Sequence, residues 1–265
     1  MSTNSLTQFN ATHWLKQWGK SETWLAFLFI FPSLIGFLVF FAIPSVRGFM
    51  ISFTDWDLIN TAKSVGVANY VRLWDDSEFW HALRVTGLYV VLNIPVQTVL
   101  AIGLAVLMDR VIKSSFLRSL FVLPWLLPNV VVALLWLWML DPQLGLVNQF
   151  LGLFGIDRQP FLGSPTQAMP AIASINIWRH VGYTALLIFA GLQTIPKDIY
   201  EAASIDGSTE LHSFWTMTLP LLRPVLVFVL VTTVIGSFQV FDTIAITTKG
   251  GPVDATRVIY WYELV

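Results

Sequence analysis

The sequence contains no cysteine and few charged residues. Charged side chains make up 12% of the 265 residues, whereas hydrophobic side chains make up 55% and include 20 phenylalanines and 12 tryptophans. The absence of cysteine excludes disulfides, thiolate metal ligands and cysteine nucleophiles. The net charge of −1 offers no basic surface to nucleic acid. So much apolar surface with so little charge excludes a disordered chain, disfavours a water-soluble enzyme and predicts a protein whose solvent is lipid.

Motifs for catalysis and nucleotide binding are also missing. Gly19-Lys20-Ser21 resembles the end of a phosphate-binding loop, but Trp14 occupies the position of that motif's first glycine. The histidines are scattered at positions 13, 81, 180 and 212, and no zinc-protease, nucleophile-elbow or dinucleotide motif occurs. We therefore predict no catalytic residue, no metal and no cofactor. If the protein does energy-driven work, a partner supplies the energy.

Long apolar stretches predict an all-α, multi-pass transmembrane bundle. A helix crosses the hydrocarbon of a bilayer with roughly 20 residues. Residues 1–23 form a polar tail, and residues 24–265 form the transmembrane domain. We expect proline kinks in the third span, at Pro124 and Pro128. The five predicted spans cover approximately residues 24–50, 85–108, 116–140, 167–193 and 222–247.

The stretch between the fourth and fifth spans, residues 195–220, predicts two short helices joined by a sharp turn. Pro196 suits the start of the first helix, and Asp206-Gly207 is a turn signal. Ser208 is the expected cap of the second helix, with Glu210 in its first turn. On these grounds alone two interpretations stay open: an amphipathic element that fits a partner's groove, or an ordinary loop at the membrane surface.

This stretch resembles the "EAA" loop of the permease subunits of ATP-binding-cassette importers. The family pattern is E-A-A, two residues, D-G-A and a downstream I-x-L-P, and this chain has Ser208 in place of the alanine and Met217 in place of the isoleucine. The similarity covers roughly residues 24–262 and is closest to the carbohydrate branch, the maltose and glycerol-phosphate type. The resemblance implies that the residues coupling the permease to its ATPase are Glu201, Ala202, Ala203, Asp206, Gly207, Met217, Leu219 and Pro220.

The resemblance also implies partners and an orientation. A second, homologous permease subunit forms the other half of the pathway, two ATP-binding subunits hold the EAA loops, and an extracytoplasmic solute-binding protein delivers a carbohydrate. The chain then lies in the cytoplasmic membrane with its N-terminus in the cytoplasm, which agrees with the basic loop 109–118. Family members usually have a sixth span after the Gly250-Gly251-Pro252 link, and the sequence shows no sixth apolar run.

Polar residues inside spans predict the solute pathway, because such residues tend to face a bundle interior or a water path. In the fourth span, four of them recur at helical spacing on one face. We expect Asn93, Gln97 and their neighbour Pro95 to serve helix packing, and Asp242 to lie at a water-exposed end. The predicted pathway residues, which could instead join neighbouring helices, are Asn176, Arg179, His180, Tyr183, Thr233, Ser237 and Val240.

Three alternatives to an importer subunit stay open at this point. The first is an ion-coupled secondary transporter that binds its ion at Asp242, although the sequence shows no inverted repeat. The second is a membrane enzyme centred on Arg179 and His180, which lacks a nucleophile and base pair. The third is an inactive, truncated permease.

Overall fold

The computed structural model describes residues 22–57, 59 and 61–262. The chain divides into two compact units, the first ending at Asp75 and the second beginning at Asp76. The regular secondary structure of the described residues is helical, and it is accompanied by one antiparallel bridge between Thr54 and Ser64. The predicted all-α class is confirmed.

The first unit is built on one long apolar helix. Helix α1 (Glu22–Phe37) continues through a π-helical turn (Leu38–Ala42) into α2 (Ile43–Ile51). Within it, the 28 residues of Trp24–Ile51 are long enough and apolar enough to cross a membrane. Its large apolar side chains are exposed, and Phe40 is the most exposed of them, at 82%. A helix that is hydrophobic on all sides is suited to lipid rather than to water.

A short helix, α3 (Ala68–Asp75), completes the first unit. The side-chain amide of Asn69 donates hydrogen bonds to the carbonyls of Ser52 and Thr54, at 2.9 and 2.8 Å. The hydroxyl of Tyr70 lies 2.6 Å from that of Ser52. These bonds satisfy carbonyls where α2 ends, and they fix α3 beside them.

The second unit is a bundle organised around two long helices, α4 and α8. Helix α4 has 34 residues and begins after Asp76, whose carboxylate accepts the backbone N–H of Glu78 as an N-cap. Helix α8 has 25 residues. In chain order, the helices of this unit are α4 (Ser77–Arg110), α5 (Ser115–Leu126), α6 (Asn129–Met139), α7 (Leu146–Gly152), α8 (Ala168–Leu192), α9 (Lys197–Ile205), α10 (Glu210–Ser213), α11 (Leu219–Leu221), α12 (Arg223–Phe238), α13 (Asp242–Thr247) and α14 (Ile259–Tyr262).

Small side chains allow α4 and α8 to pack closely. Ala101 and Ala105 of α4 and Ala185 of α8 are fully buried in one apolar cluster, as is common where membrane helices approach each other. A second cluster forms towards the other end of α4, where Tyr89 packs with Ile172 of α8. Between these clusters α4 carries Asn93 and Gln97, which line the candidate site described below.

The third predicted span, residues 116–140, is not one straight helix. Helices α5 and α6 meet at 91°. Pro128 lacks an N–H and disfavours helical geometry in the residue before it, and Leu127 is accordingly extended, with φ −72° and ψ 141°. Helix α5 crosses α8 at Gly182, where a Cβ atom would overlap the carbonyl oxygen of Phe121. The expected kink at Pro128 is thus a full break, which close packing against α8 holds in place.

Among the described residues, three helices are long and apolar enough to cross a membrane: Trp24–Ile51, Ser77–Arg110 and Arg223–Thr247. The bent pair α5–α6 makes a fourth if it counts as one span. Helix α8 corresponds to the predicted fourth span but is not among them, because Asn176, Arg179 and His180 lower the hydropathy of its middle. The five-span arrangement therefore stays a prediction.

Candidate functional site

A polar cavity of about 230 Å³ lies inside the second unit. Helices α4, α5, α6, α8, α12 and α13 all contribute to its walls. The seven residues that the sequence analysis proposed for a pathway, four on α8 and three on or just after α12, all line this cavity. The helical spacing that placed Asn176, Arg179, His180 and Tyr183 on one face of α8 therefore brings them into one wall.

Amides on α4 connect the cavity to the neighbouring helices. The Asn93 amide donates to the hydroxyl of Ser237 on α12, at 3.3 Å, and the Gln97 amide donates to the hydroxyl of Thr184 on α8, at 3.0 Å. The Oδ1 atom of Asn93 is buried and accepts no hydrogen bond from any described residue. Asn93 and Gln97, which the sequence analysis assigned to packing, thus join helices and also line the cavity.

Arg179 lines the cavity, but its terminal nitrogens are hydrogen-bonded to other parts of the protein. Its Nη2 donates to the carbonyls of Leu127 and Trp125, at 3.0 and 3.3 Å, and its Nη1 donates to Nε2 of His180 at 3.0 Å. These two carbonyls lie at the C-terminal end of α5, where a helix has no backbone donors of its own. Arg179 therefore caps α5 at the break before α6.

The ring of His180 is fixed in one tautomer by its two neighbours. Its Nδ1 lies 2.9 Å from the carbonyl oxygen of Asn176, which can only accept, so Nδ1 carries the proton. Its Nε2 faces the guanidinium of Arg179, which can only donate. His180 is therefore neutral in this arrangement.

Two further contacts shape the cavity wall. The rings of Trp125 and Tyr183 stack, with centroids 4.3 Å apart and planes 8° from parallel. The amide of Asn129 donates to the carboxylate of Asp242 at 2.5 Å. Asp242 is half-buried and lines the cavity, and its placement at a water-exposed end stays a prediction.

Several residues that line the cavity were not predicted from the sequence. Tyr89 belongs to the cavity wall, and its four-residue spacing to Asn93 and Gln97 is a signal that could have been used. Trp125 and Asn129 flank the break between α5 and α6, and only the observed 91° bend brings both to the cavity.

The hairpin of α9 and α10 forms a second candidate site. Helix α9 begins after Pro196 and has Asp198 in its first turn, as expected. Gly207 adopts a φ of +76°, which favours glycine at the turn. The second helix is capped by Thr209, whose hydroxyl accepts the N–H of His212. The predicted Ser208 cap is wrong, because Ser208 bonds to Ser213 at 2.8 Å instead.

The first residues and the turn of the EAA pattern are mostly exposed, whereas its downstream residues are partly covered. Ala203 is buried, and the downstream residues Met217, Leu219 and Pro220 are half-buried. Apolar side chains beside the pattern are also exposed, with Ile205 at 87% and Leu211 at 69%. The exposed members of the pattern are Glu201, Ala202, Asp206 and Gly207.

An all-α chain with membrane-length apolar helices, a polar cavity between them and an exposed amphipathic hairpin has the architecture of a membrane transport subunit. Comparison with known proteins narrows this class. Residues 97–261 match the family model of the binding-protein-dependent transport system inner membrane component. The chain belongs to this family, and it is a permease subunit of an ABC importer.

Characterised relatives and solved structures agree with this assignment. The trehalose/maltose transport system permease protein MalF of Thermococcus litoralis is 36% identical over 240 residues, which span 90% of this chain and 81% of that protein. The sn-glycerol-3-phosphate transport system permease protein UgpA of Agrobacterium fabrum is 35% identical, over 89% of this chain and 82% of that protein.

Among solved structures, a bacterial ABC transporter involved in the import of the acidic polysaccharide alginate has a similar chain. The TM-score is 0.73 at 25% identity, with 94% of this chain and 85% of that chain covered. The same kind of transporter in complex with an alginate pentasaccharide-bound periplasmic protein gives a TM-score of 0.75 at 27% identity, over 92% of this chain and 84% of that chain. The predicted fold and family are confirmed.

Proposed function

We propose that this permease forms half of a translocation pathway for a carbohydrate, with the cavity as part of that pathway. The observation that carries the proposal is the composition of the cavity wall, where amides, hydroxyls and aromatic rings converge from α4, α8 and α12. Amides and hydroxyls exchange hydrogen bonds with sugar hydroxyls, and aromatic rings pack on sugar faces. The chain itself breaks no covalent bond in this proposal, because ATP hydrolysis belongs to a partner subunit.

The charges of the cavity favour an uncharged solute. The relatives do not decide this point, because their names include trehalose and maltose as well as glycerol phosphate and an acidic polysaccharide. Arg179 spends its terminal nitrogens on backbone carbonyls and His180, and the carboxylate of Asp242 balances its charge in the same cavity. An anionic solute would therefore meet a guanidinium whose terminal nitrogens are already bonded and whose charge is balanced, whereas a neutral sugar needs no counter-charge.

The exposed hairpin is the proposed contact with an ATP-binding subunit in the cytoplasm. A charged residue, Glu201, is exposed beside the large apolar side chains of Ile205 and Leu211. An amphipathic helical element of this kind fits a groove on a partner. The N-terminus is then cytoplasmic, and a second permease subunit and an extracytoplasmic binding protein complete the transporter.

Uptake by cells that carry the complete transporter tests the proposal. We expect labelled maltose or trehalose to enter, and glucose 6-phosphate and sn-glycerol 3-phosphate not to compete. Glu201→Lys should abolish uptake and copurification of the ATP-binding subunit while membrane insertion persists. Asp157→Lys makes the same charge change in another loop and should leave both intact. Full uptake by Glu201→Lys would instead favour an ion-coupled transporter.

A further inference from the structure

The hairpin is tied to the end of α4 by an ion pair that joins two distant parts of the chain. Arg110 is the last residue of α4, and Glu210 is the first residue of α10. The guanidinium of Arg110 donates to the carboxylate of Glu210. Both side chains are partly exposed, at 43% and 84%. An exposed ion pair adds little to the free energy of unfolding, so we expect this pair to act by positioning the end of α4 against the hairpin.

A neighbouring hydrogen bond joins α4 to the segment that leads into the hairpin. The amide of Gln193, just after α8, donates to the carboxylate of Asp109 at 2.6 Å. The end of α4 therefore contacts the chain at both ends of α9, through Asp109 before the hairpin turn and Arg110 after it.

The hairpin is itself braced, so that its two arms move together. The hydroxyls of Tyr200 and Thr218 lie 2.9 Å apart and join α9 to a π-helical turn, Phe214–Thr218, before α11. Ser208 and Ser213 hold the turn against α10 at 2.8 Å. We therefore expect a displacement at the exposed side of this braced hairpin to move Glu210 as well.

Helix α4 runs without interruption from the ion pair to the cavity. Gln97 lies thirteen positions before Arg110, which is about 20 Å of helix at 1.5 Å per residue. Gln97 and Asn93 hold the bonds to α8 and α12 at the cavity. The hairpin is covalently continuous with α8 and α12, whereas it reaches α4 through non-covalent contacts at Asp109 and Arg110.

We propose that the Arg110–Glu210 pair is a positioning pair that makes α4 follow the hairpin, so that ATP-driven hairpin movement reaches the amides of the cavity. This inference rests on the proposed contact between the hairpin and an ATP-binding subunit. Without the pair, the end of α4 follows the hairpin less closely, because only the apolar packing against α8 and α12 and the Asp109–Gln193 bond then join them. ATP is then hydrolysed with less solute transported.

The experiment measures maltose uptake per ATP hydrolysed by the complete transporter in proteoliposomes. Arg110→Glu and Glu210→Arg should each lower this ratio about two- to fivefold, the range expected for an exposed ion pair. The double exchange, Arg110→Glu with Glu210→Arg, should restore most of the ratio, and Arg110→Lys should retain most of it. Lys113→Glu is the matched control, because Lys113 lies in the same loop and its Nζ donates to the carbonyl of Asp109.

Two results would overturn the inference: single variants with the wild-type ratio, or a double exchange no better than the worse single variant. Recovery in the double exchange also shows that the singles did not merely misfold. The two proposals fail differently. If wild-type uptake does not depend on ATP, the proposed function is wrong; if uptake depends on ATP but the ratio is the same in all variants, only the positioning pair is wrong.

Discussion

Arg179 shows how a charged residue in the middle of an apolar helix can serve the fold. Burying a cation costs free energy unless its hydrogen bonds are satisfied. Here two carbonyls at the end of α5 and the ring of His180 accept from the terminal nitrogens, whereas Nε is buried and donates to no described residue. The sequence indicated that Arg179 faces the interior, and the structure agrees. Its acceptors could not be predicted, because two of them are backbone atoms exposed only by the break at Pro128.

Replacing Arg179 should weaken the fold without changing solute preference. Arg179→Gln leaves carbonyls of α5 unpaired, at a cost of about 1–3 kcal/mol of unfolding free energy. Arg179→Lys should recover little, because an ammonium lacks the planar fork that reaches several acceptors. Thermal unfolding of the purified transporter measures the first effect, and competition between maltose and glucose 6-phosphate measures the second. A variant that loses its preference for the uncharged sugar would make Arg179 a solute ligand.

Gly182 is the residue on which the crossing of α5 and α8 depends. A Cβ at this position meets the backbone carbonyl of Phe121, which cannot rotate away. Gly182→Ala should therefore destabilise the transporter by about 1–3 kcal/mol, as overpacking does. Gly103→Ala is the control, since a Cβ there meets nothing within 4 Å. Thermal unfolding should separate the two variants, and equal midpoints would contradict the close crossing.

Structural elements that neighbouring residues determine were easier to predict than those that depend on distant contacts. The turn at Asp206-Gly207 and the start of α9 at Pro196 follow from neighbouring residues, and the structure has both. Thr209 caps α10 instead of the predicted Ser208, because the Ser208 hydroxyl bonds to Ser213, five residues further along the chain. The 91° break between α5 and α6 depends on contacts with α8, and such tertiary contacts are not readable from one stretch of sequence.

The segment after α13 is held to the start of α4 by side chains that titrate. The hydroxyl of Tyr262 donates to Asp76 at 2.5 Å, and Arg257 contacts Glu78 at 2.8 Å. The Tyr262 hydroxyl and then the backbone N–H of Glu78 lower the pKa of Asp76 below its ordinary value, and the bond to Asp76 raises the pKa of Tyr262.

This contact gives the segment a defined pH dependence. Asp76 stabilises it fully above the ordinary carboxyl pKa of about 4, and the contribution is lost as the pH falls through the lowered pKa. Tyr262 stabilises it below its ordinary pKa of about 10, and the contribution is lost as the pH rises through the raised one. Between these limits, the segment should be equally protected at every pH.

Amide hydrogen exchange at Ile259, whose N–H donates to the Thr86 hydroxyl at 2.8 Å, reports this contact. Tyr262→Phe should speed exchange at Ile259 at neutral pH, because the tie to Asp76 is gone. Tyr260→Phe removes a hydroxyl from the same short helix and keeps the ring contact with Phe241, so it should leave the exchange unchanged. Equal exchange in the two variants would show that Tyr262 does not hold the segment.

At the scale of the whole molecule, the composition and one loop pattern were enough to predict the environment and the family of the protein. The shortage of charge predicted a lipid environment, and the EAA pattern predicted the importer family that the comparisons confirm. The identity of the solute is less accessible, because the cavity draws its walls from six helices that are far apart in sequence. The proposed uncharged solute follows from hydrogen bonds that only the packed bundle creates.

Crosslinking of the hairpin tests the central claim most directly. The chain has no cysteine, so Ser204→Cys places a single thiol on the exposed side of α9. In intact cells, this thiol should resist membrane-impermeant reagents added outside. In membranes isolated from these cells, it should crosslink to the ATP-binding subunit, with a yield that changes when nucleotide is added. A thiol that reacts from outside the cell, or that never reaches the ATP-binding subunit, would contradict the account.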